Sequence, residues 1–141
     1  MTEPTLFFFT VKDAASKIRA LTETVQSHLV KKEKIHVIVP DLSTLEFVDL
    51  LLWNHPKESF RPHSKEALLP FQDLIFLSLP FTSLDPFPVV FNLCQTAYIP
   101  THPIKILYEL EDLTHPQKAA LFQNKFQAYQ KAGFKICSAI R

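Results

Sequence analysis

The sequence predicts an α/β protein: a single domain, residues 1–141, with helices on both sides of a mainly parallel sheet. Short apolar runs rich in β-branched and aromatic residues alternate with segments whose apolar residues recur every three or four positions. Two of these runs, 74–79 and 89–93, are apolar almost throughout, which is typical of strands covered on both faces. With 47% hydrophobic residues, a chain of this length can bury a self-sufficient core.

The predicted elements follow one another in the order β-α-β-α-β-β-β-α-β. The strands are residues 5–10, 35–39, 74–79, 89–93, 104–110 and 134–139. Asp13 is expected to cap the first helix, whose apolar residues recur from 14 to 29. A Ser43-x-x-Glu46 capping box opens the second helix, which runs to about residue 53. Thr114 is expected to cap the third helix, which ends at Gly133.

The chain has one glycine, and its position excludes the usual phosphate-binding loops. Gly133 stands where helices commonly end in a left-handed residue. Loops that cradle phosphate need several glycines, for positive φ and for close backbone approach. Neither a dinucleotide-binding fingerprint nor a P-loop can be written with a single glycine near the C-terminus. We therefore expect no nucleotide cofactor.

Charge and cysteine content narrow the class of protein further. The formal net charge is +1, so no overall field drives non-specific DNA binding. Cys94 and Cys137 are too few for a disulfide framework and predict thiols in a reducing compartment. No basic leader precedes the first strand, and no apolar run reaches the roughly 18 residues of a membrane helix. We expect a cytoplasmic protein.

Residues with catalytic or metal-binding chemistry do not stand at functional spacings. None of the six histidines pairs at metal-ligand spacing with another histidine or with a cysteine, and His36 lies inside a predicted strand. Cys94 is interpreted as an inert buried thiol. Glu109, Glu111 and Asp112 are interpreted as a solvated acidic loop. The sequence therefore predicts no catalytic residues, no metal site and no cofactor.

A proline-stiffened segment after the second helix is the first candidate for function. Residues 53–63 have the sequence WNHPKESFRPH, in which a tryptophan ends the helix and Phe60 follows between two prolines. One interpretation is a local lid on the core. The other is a rigid loop that displays aromatic anchors to a partner.

The C-terminal segment is the second candidate. Residues 114–141 contain five basic residues and no acidic one. The apolar stripe of the third helix is predicted to hold Ala119, Phe122, Phe126 and Tyr129. An apolar notch rimmed by lysines suits an acidic peptide with an aromatic anchor and a free carboxylate. A solvated basic helix face is the alternative interpretation.

Motifs in these two segments resemble the chi subunit family of bacterial DNA polymerase III. Trp53-x-x-Pro56-x-Glu58-Ser59-Phe60-x-Pro62-His63 is similar to the family's central motif. Phe126-x-x-Tyr129-x-x-x-Gly133-Phe134 is similar to its C-terminal motif, and Asp49-x-x-Leu52-Trp53 fits its second helix. The resemblance runs along essentially the whole chain. It implies a Rossmann-like, three-layer fold that has lost nucleotide binding, and a non-catalytic adaptor in DNA replication.

The resemblance also implies two partner surfaces. One binds the psi subunit or another component of the clamp loader, and a helicase is a further candidate partner. The other holds the acidic C-terminal tail of single-strand DNA-binding protein, which ends in proline and phenylalanine. The implied contacts to psi or the clamp loader are Trp53, Pro56, Phe60 and Pro62. The implied contacts to the tail are Lys118, Phe122, Gln123, Lys125, Phe126, Tyr129 and Ser138. No membrane partner and no sequence-specific DNA contact are expected.

Two positions depart from the family pattern, and two other functions stay open. Gln123 stands where the family usually has an arginine, and Ala119 where a lysine is common. Lys118 could substitute, but one residue along a helix turns a side chain by about 100°. A small enzyme with dispersed catalytic groups would need a polar pocket at the carboxyl ends of the strands, lined by His36 or Asp41. A direct single-stranded DNA-binding module would use the basic helix and its aromatic residues.

Overall fold

The computed structural model describes residues 4–54, 63–65, 75–79, 87–98 and 104–138, with side chains for all of these except 52–54 and 63–65. Within them the strands are β1 (Thr5–Val11), β2 (Ile35–Ile38), β3 (His63–Lys65), β4 (Ile75–Ser78), β5 (Val89–Asn92), β6 (Ile106–Asp112) and β7 (Lys135–Ser138). The helices are α1 (Ala14–Val30), α2 (Leu42–Asn54) and α3 (Pro116–Ala132). The strands form one sheet in the order β3-β4-β2-β5-β6-β1-β7. Every recorded strand pair is parallel, which confirms the predicted α/β class.

The sheet separates two apolar layers, which confirms the three-layer arrangement. On one face Val25 of α1 and Val48 of α2 share a core with Phe91 of β5. On the other face Tyr129 of α3 packs with Leu107 of β6. Every residue of β2, β4 and β5 is buried, as the near-continuous apolar runs predicted.

The start of the first helix and the end of the last one follow the prediction. Asp13 caps α1, because its Oδ1 accepts a hydrogen bond from the Ser16 N–H at 2.7 Å. Gly133 ends α3 with a φ of 91°, a left-handed conformation that favours glycine. Its N–H donates to the Gln130 carbonyl at 3.2 Å, which closes the last turn.

The caps predicted for the other two helix starts are wrong. Helix α2 begins before Ser43, because the Asp41 carboxylate accepts the Thr44 N–H at 2.8 Å and thereby supplies the cap. The residue that precedes α3 is His115, which makes no side-chain capping bond. Thr114 instead donates its N–H to the Asp112 carboxylate at 2.9 Å. At α2 the aspartate replaces the predicted serine because an ionised acceptor forms the stronger hydrogen bond, whereas no side chain caps α3.

Two strands differ from the prediction. β3 was missed, since His63–Lys65 has no apolar pattern and lies directly after the two prolines. β6 extends to Asp112 and pairs along its whole length with β1, placing Glu109 opposite Phe8. The interpretation of Glu109, Glu111 and Asp112 as a solvated loop is therefore wrong.

Candidate functional site

Helix α3 turns a different set of side chains inward from the one that its apolar pattern predicted. Phe122, Lys125 and Tyr129 are buried, whereas Ala119 and Phe126 are half-buried on one flank of the helix. Lys125 shares the inward face because it lies three residues after Phe122 and four before Tyr129. A lysine in this position needs a partner inside the protein.

Glu109, from the neighbouring strand β6, supplies that partner. The Lys125 Nζ donates to Glu109 Oε1 at 2.9 Å and also to the carbonyl of Cys94. The second oxygen, Glu109 Oε2, accepts from Asn92 Nδ2 at 2.8 Å and from the Tyr129 hydroxyl. Glu109 is fully buried and Lys125 is 8% exposed, so the ion pair lies in the interior. All these neighbours are hydrogen-bond donors, which favours the ionised carboxylate.

Burial governs the acid–base behaviour of this cluster. It raises the pKa of Glu109 above its ordinary value, while the charge of Lys125 and the hydrogen bonds from its neighbours oppose that rise. It also raises the pKa of Tyr129, and the Glu109 charge acts in the same direction. For Cys94, burial raises the pKa to about 11, so the thiol is protonated at neutral pH. Cys94 is thus the inert buried thiol that the sequence predicted.

The basic surface expected on α3 therefore lacks Lys125. Its charge is compensated by Glu109, and the Tyr129 hydroxyl accepts the Tyr98 N–H at 2.8 Å in addition to bonding Glu109. Both side chains fix α3 to the sheet, a role that the sequence did not indicate. Whether either contacts an acidic partner stays a prediction.

The half-buried flank of α3 carries an aromatic cluster at the edge of the sheet. The ring centroid of Phe8, on β1, lies 5.5 Å from that of Phe122 and 6.3 Å from that of Phe126. Ser138 pairs in register with Phe8, so the two side chains share a face of the sheet. Gln123 is exposed on the same flank of the helix. The structure thus relates Phe126 and Ser138 through Phe8, a residue that the sequence did not single out.

Lys118 lies in a different direction, towards the start of α1. Its Nζ is 3.7 Å from Asp112 Oδ2, which also binds Lys17 Nζ at 2.6 Å. Partial burial alone would raise the pKa of Asp112, but hydrogen bonds from Lys17 and Thr114 lower it to about 2. Asp112 is thus ionised at neutral pH, and it partly neutralises Lys118.

A cleft of about 430 Å³ opens at the carboxyl ends of the strands, between the starts of α1 and α2 and the inner side of α3. It is lined by Lys17, Asp41, Cys94, Asp112 and Lys118 among other residues, and His36 is not one of them. Several of its polar groups are already engaged: Asp41 caps α2, and Asp112 holds both lysines. Asp41 therefore lines a cleft at the place that the enzyme alternative requires, and its carboxylate is engaged as the cap of α2.

Helix α2 presents an apolar face to solvent. Leu42 is 61% exposed, Phe47 55% and Leu50 62%. Trp53 belongs to the last turn of α2, and its side chain is not among the described ones. Pro56, Phe60 and Pro62 lie outside the described residues. Of the predicted clamp-loader surface, the structure therefore describes the exposed face of α2 and not the four predicted contact side chains.

In the part of the chain that the structure describes, no three His, Cys, Asp or Glu side chains form a group that could hold a metal ion. No helix there is long and apolar enough to cross a membrane.

Comparison with known proteins decides the family. A family model described as "DNA polymerase III chi subunit, HolC" matches residues 1–137 of the 141-residue chain. The chain belongs to the chi subunit family of DNA polymerase III. No curated protein matches it. The chi family match agrees with the two motifs and the fold, and it makes the protein a non-catalytic accessory component of the DNA polymerase III complex in replication. The enzyme alternative is set aside on that ground.

Proposed function

We propose that this chi subunit is an adaptor that links the clamp loader, through psi or a substitute for it, to the acidic tail of single-strand DNA-binding protein. The proposal needs two separate surfaces on one rigid domain. The flank of α3 beside β7 is the tail surface, and the α2 face with the segment after it is the clamp-loader surface. A helicase could use the second surface where no psi subunit exists.

The observation that carries the tail surface is the aromatic cluster of Phe8, Phe122 and Phe126. It reaches the surface at Phe126, beside Ser138 and in a stretch of 28 residues that lacks any Asp or Glu. An aromatic side chain of a peptide could stack there, and no acidic residue of that stretch would repel the acidic residues preceding it. Within the predicted set, Phe126, Gln123 and Ser138 are the contacts that we assign. The buried side chains of α3 pack beneath these contacts, namely Phe122, Lys125 and Tyr129. Lys118 lies beside Asp112, at the other end of α3.

The expected affinity is modest. One buried aromatic side chain contributes about 1.5–3 kcal/mol, and exposed charge pairs add about 1 kcal/mol or less. We expect a free peptide to bind with a Kd of roughly micromolar size. Several tails on one coated strand raise the effective concentration, so that weak and exchangeable contacts still tether the polymerase complex.

The first test is a fluorescence-anisotropy titration of a labelled acidic peptide that ends in Pro-Phe. Phe126→Ala should weaken binding at least roughly tenfold, because it removes the stacking surface. Phe47→Ala is the control, since it removes a phenylalanine from the α2 face, away from the proposed tail surface. Equal loss in both variants, or no binding of the wild type at about 100 times the expected Kd, would remove the tail contact.

The same titration separates the adaptor from a direct single-stranded DNA-binding module. A bare oligonucleotide replaces the peptide, and the salt concentration is varied. Tight oligonucleotide binding with a steep salt dependence would favour direct DNA binding. The burial of Lys125 in an ion pair leaves fewer cations for such a site, which favours the adaptor.

A further inference from the structure

Strand β7 forms one edge of the sheet, and no described residue pairs with its outer side. The Lys135 N–H donates to the Pro4 carbonyl at 3.0 Å, so the backbone groups of Lys135 point towards β1. In a parallel ladder the residues alternate, so those of Cys137 also face β1 and those of Ile136 and Ser138 face outward. An outward row of N–H and C=O groups is a template for a further strand.

The uncompensated cations of α3 and β7 lie at one end of this edge. Lys125 is paired with Glu109, and Lys118 lies 3.7 Å from Asp112. Lys131 and Lys135 are exposed, and no described carboxylate lies within ion-pair distance of either. Both stand near the N-terminal end of β7, because α3 ends where β7 begins. Where the family pattern usually has an arginine on α3, this chain has Gln123, which carries no positive charge.

The aromatic cluster lies at the opposite end of the same edge. Ser138 pairs with Phe8, whose ring contacts Phe126, whereas Lys135 pairs with Thr5 at the start of β1. An extended peptide along β7 would therefore meet lysines first and phenylalanines last. That order matches a peptide whose acidic residues precede a C-terminal aromatic residue.

We propose that an acidic peptide with a C-terminal aromatic residue binds the outer edge of β7 as an eighth strand, parallel to it. This inference rests on the proposed function, because it takes the same tail as the occupant. The peptide's backbone pairs with Ile136 and Ser138, its acidic side chains lie beside Lys131 and Lys135, and its terminal ring packs at Phe126. A proline next to the last residue is accommodated, since alternate residues of an added strand direct no N–H towards β7.

The test uses peptides that differ only in backbone N-methylation. In one peptide, methyl groups on every second amide remove half of the backbone N–H donors. In the second peptide, the methyl groups are on the remaining amides. We expect one peptide to bind roughly tenfold more weakly or worse and the other to bind like the unmethylated peptide. Equal binding of both methylated peptides would overturn the added strand, because a groove-bound peptide has no such alternation.

A protein variant gives the reciprocal measurement. Ile136→Pro removes an outward N–H and leaves the bonds to β1 in place, so we expect the domain to stay folded by circular dichroism while the peptide binds roughly tenfold more weakly. Ile136→Val keeps the N–H and is the matched control, which should bind like the wild type. Unchanged binding by Ile136→Pro would overturn the inference.

These outcomes separate the inference from the proposed function. A peptide that does not bind the wild type at all removes the tail contact and the added strand together. A peptide that depends on Phe126 but not on the N–H of Ile136 keeps the proposed function and removes the added strand alone. Concentration-dependent dimerisation that Ile136→Pro abolishes, together with unchanged peptide binding, would assign the edge to a second copy of the chain and overturn the inference.

Discussion

Lys125 and Glu109 form an ion pair inside the protein, with 2.9 Å between Nζ and Oε1, although the sequence places Lys125 in a basic surface segment and Glu109 in an acidic one. The sequence predicts a solvated charge at each of these residues, but the two charges neutralise each other between α3 and β6. Asn92 and Tyr129 complete the hydrogen bonds of the carboxylate. The pair anchors the helix on which the proposed tail surface is built.

The first prediction concerns this anchor. Lys125→Met should lower the free energy of unfolding by about 3–5 kcal/mol, because it leaves the Glu109 carboxylate buried without a cation. Lys131→Met is the control and should change it by less than about 0.5 kcal/mol, since Lys131 is exposed. Urea unfolding at pH 7 measures both. An unfolding free energy of Lys125→Met equal to that of the wild type would show that the pair does not hold α3.

The same variant tests whether Lys125 only anchors α3 or also contacts the acidic peptide. Below its unfolding transition, Lys125→Met should bind the acidic peptide within about twofold of the wild type, because the proposed contacts exclude Lys125. Anisotropy titration of the folded variant checks this. A large loss of affinity in a fully folded Lys125→Met protein would return Lys125 to the tail surface.

Asp112 predicts how stability depends on pH. Its pKa is about 2 in the folded protein against an ordinary value of 3.8, so its ion pair stabilises the fold above about pH 4 and is lost as the pH falls towards 2. Asp112→Asn should therefore cost about 1 kcal/mol at pH 7, a value reduced for solvent screening, and only a small fraction of that near pH 2, where the carboxylate is about half protonated. Urea unfolding at several pH values measures the difference, with the exposed Glu46→Gln as control. A cost that stays constant from pH 7 to pH 2 would show that the carboxylate's charge is not its source.

Gly133 predicts a backbone effect without a packing effect. Among the described residues, no atom beyond its chain neighbours lies within 4 Å of a Cβ built at this position, so Gly133→Ala meets no clash there, but its φ of 91° disfavours any side chain. We expect a loss of about 1 kcal/mol in the free energy of unfolding, and a smaller loss for Gly133→Asn. Thermal unfolding of the two variants measures both losses. A larger loss for Gly133→Asn than for Gly133→Ala would contradict the prediction.

The exposed face of α2 predicts a change in binding without a change in stability. Leu50→Gln should leave the free energy of unfolding within about 0.5 kcal/mol of the wild type, because Leu50 is 62% exposed. It should weaken binding to purified psi or clamp-loader subunits, measured by calorimetry. Val30→Gln, at another exposed apolar residue, is the control and should bind normally. Equal effects of the two variants would argue against α2 as the clamp-loader surface.

The sequence by itself determined the class of fold, the helix start at Asp13, the helix end at Gly133 and the family. These depend on local rules, namely apolar periodicity, capping and backbone conformation, and on motifs along the chain. Only the tertiary structure decided which charges are available to a partner. Local pattern cannot show that α3 crosses β6 with Lys125 above Glu109, nor that Asn92 and Tyr129 complete the hydrogen bonds of this carboxylate. Such pairings join residues distant in sequence, and their energy depends on burial and mutual geometry that no single segment encodes.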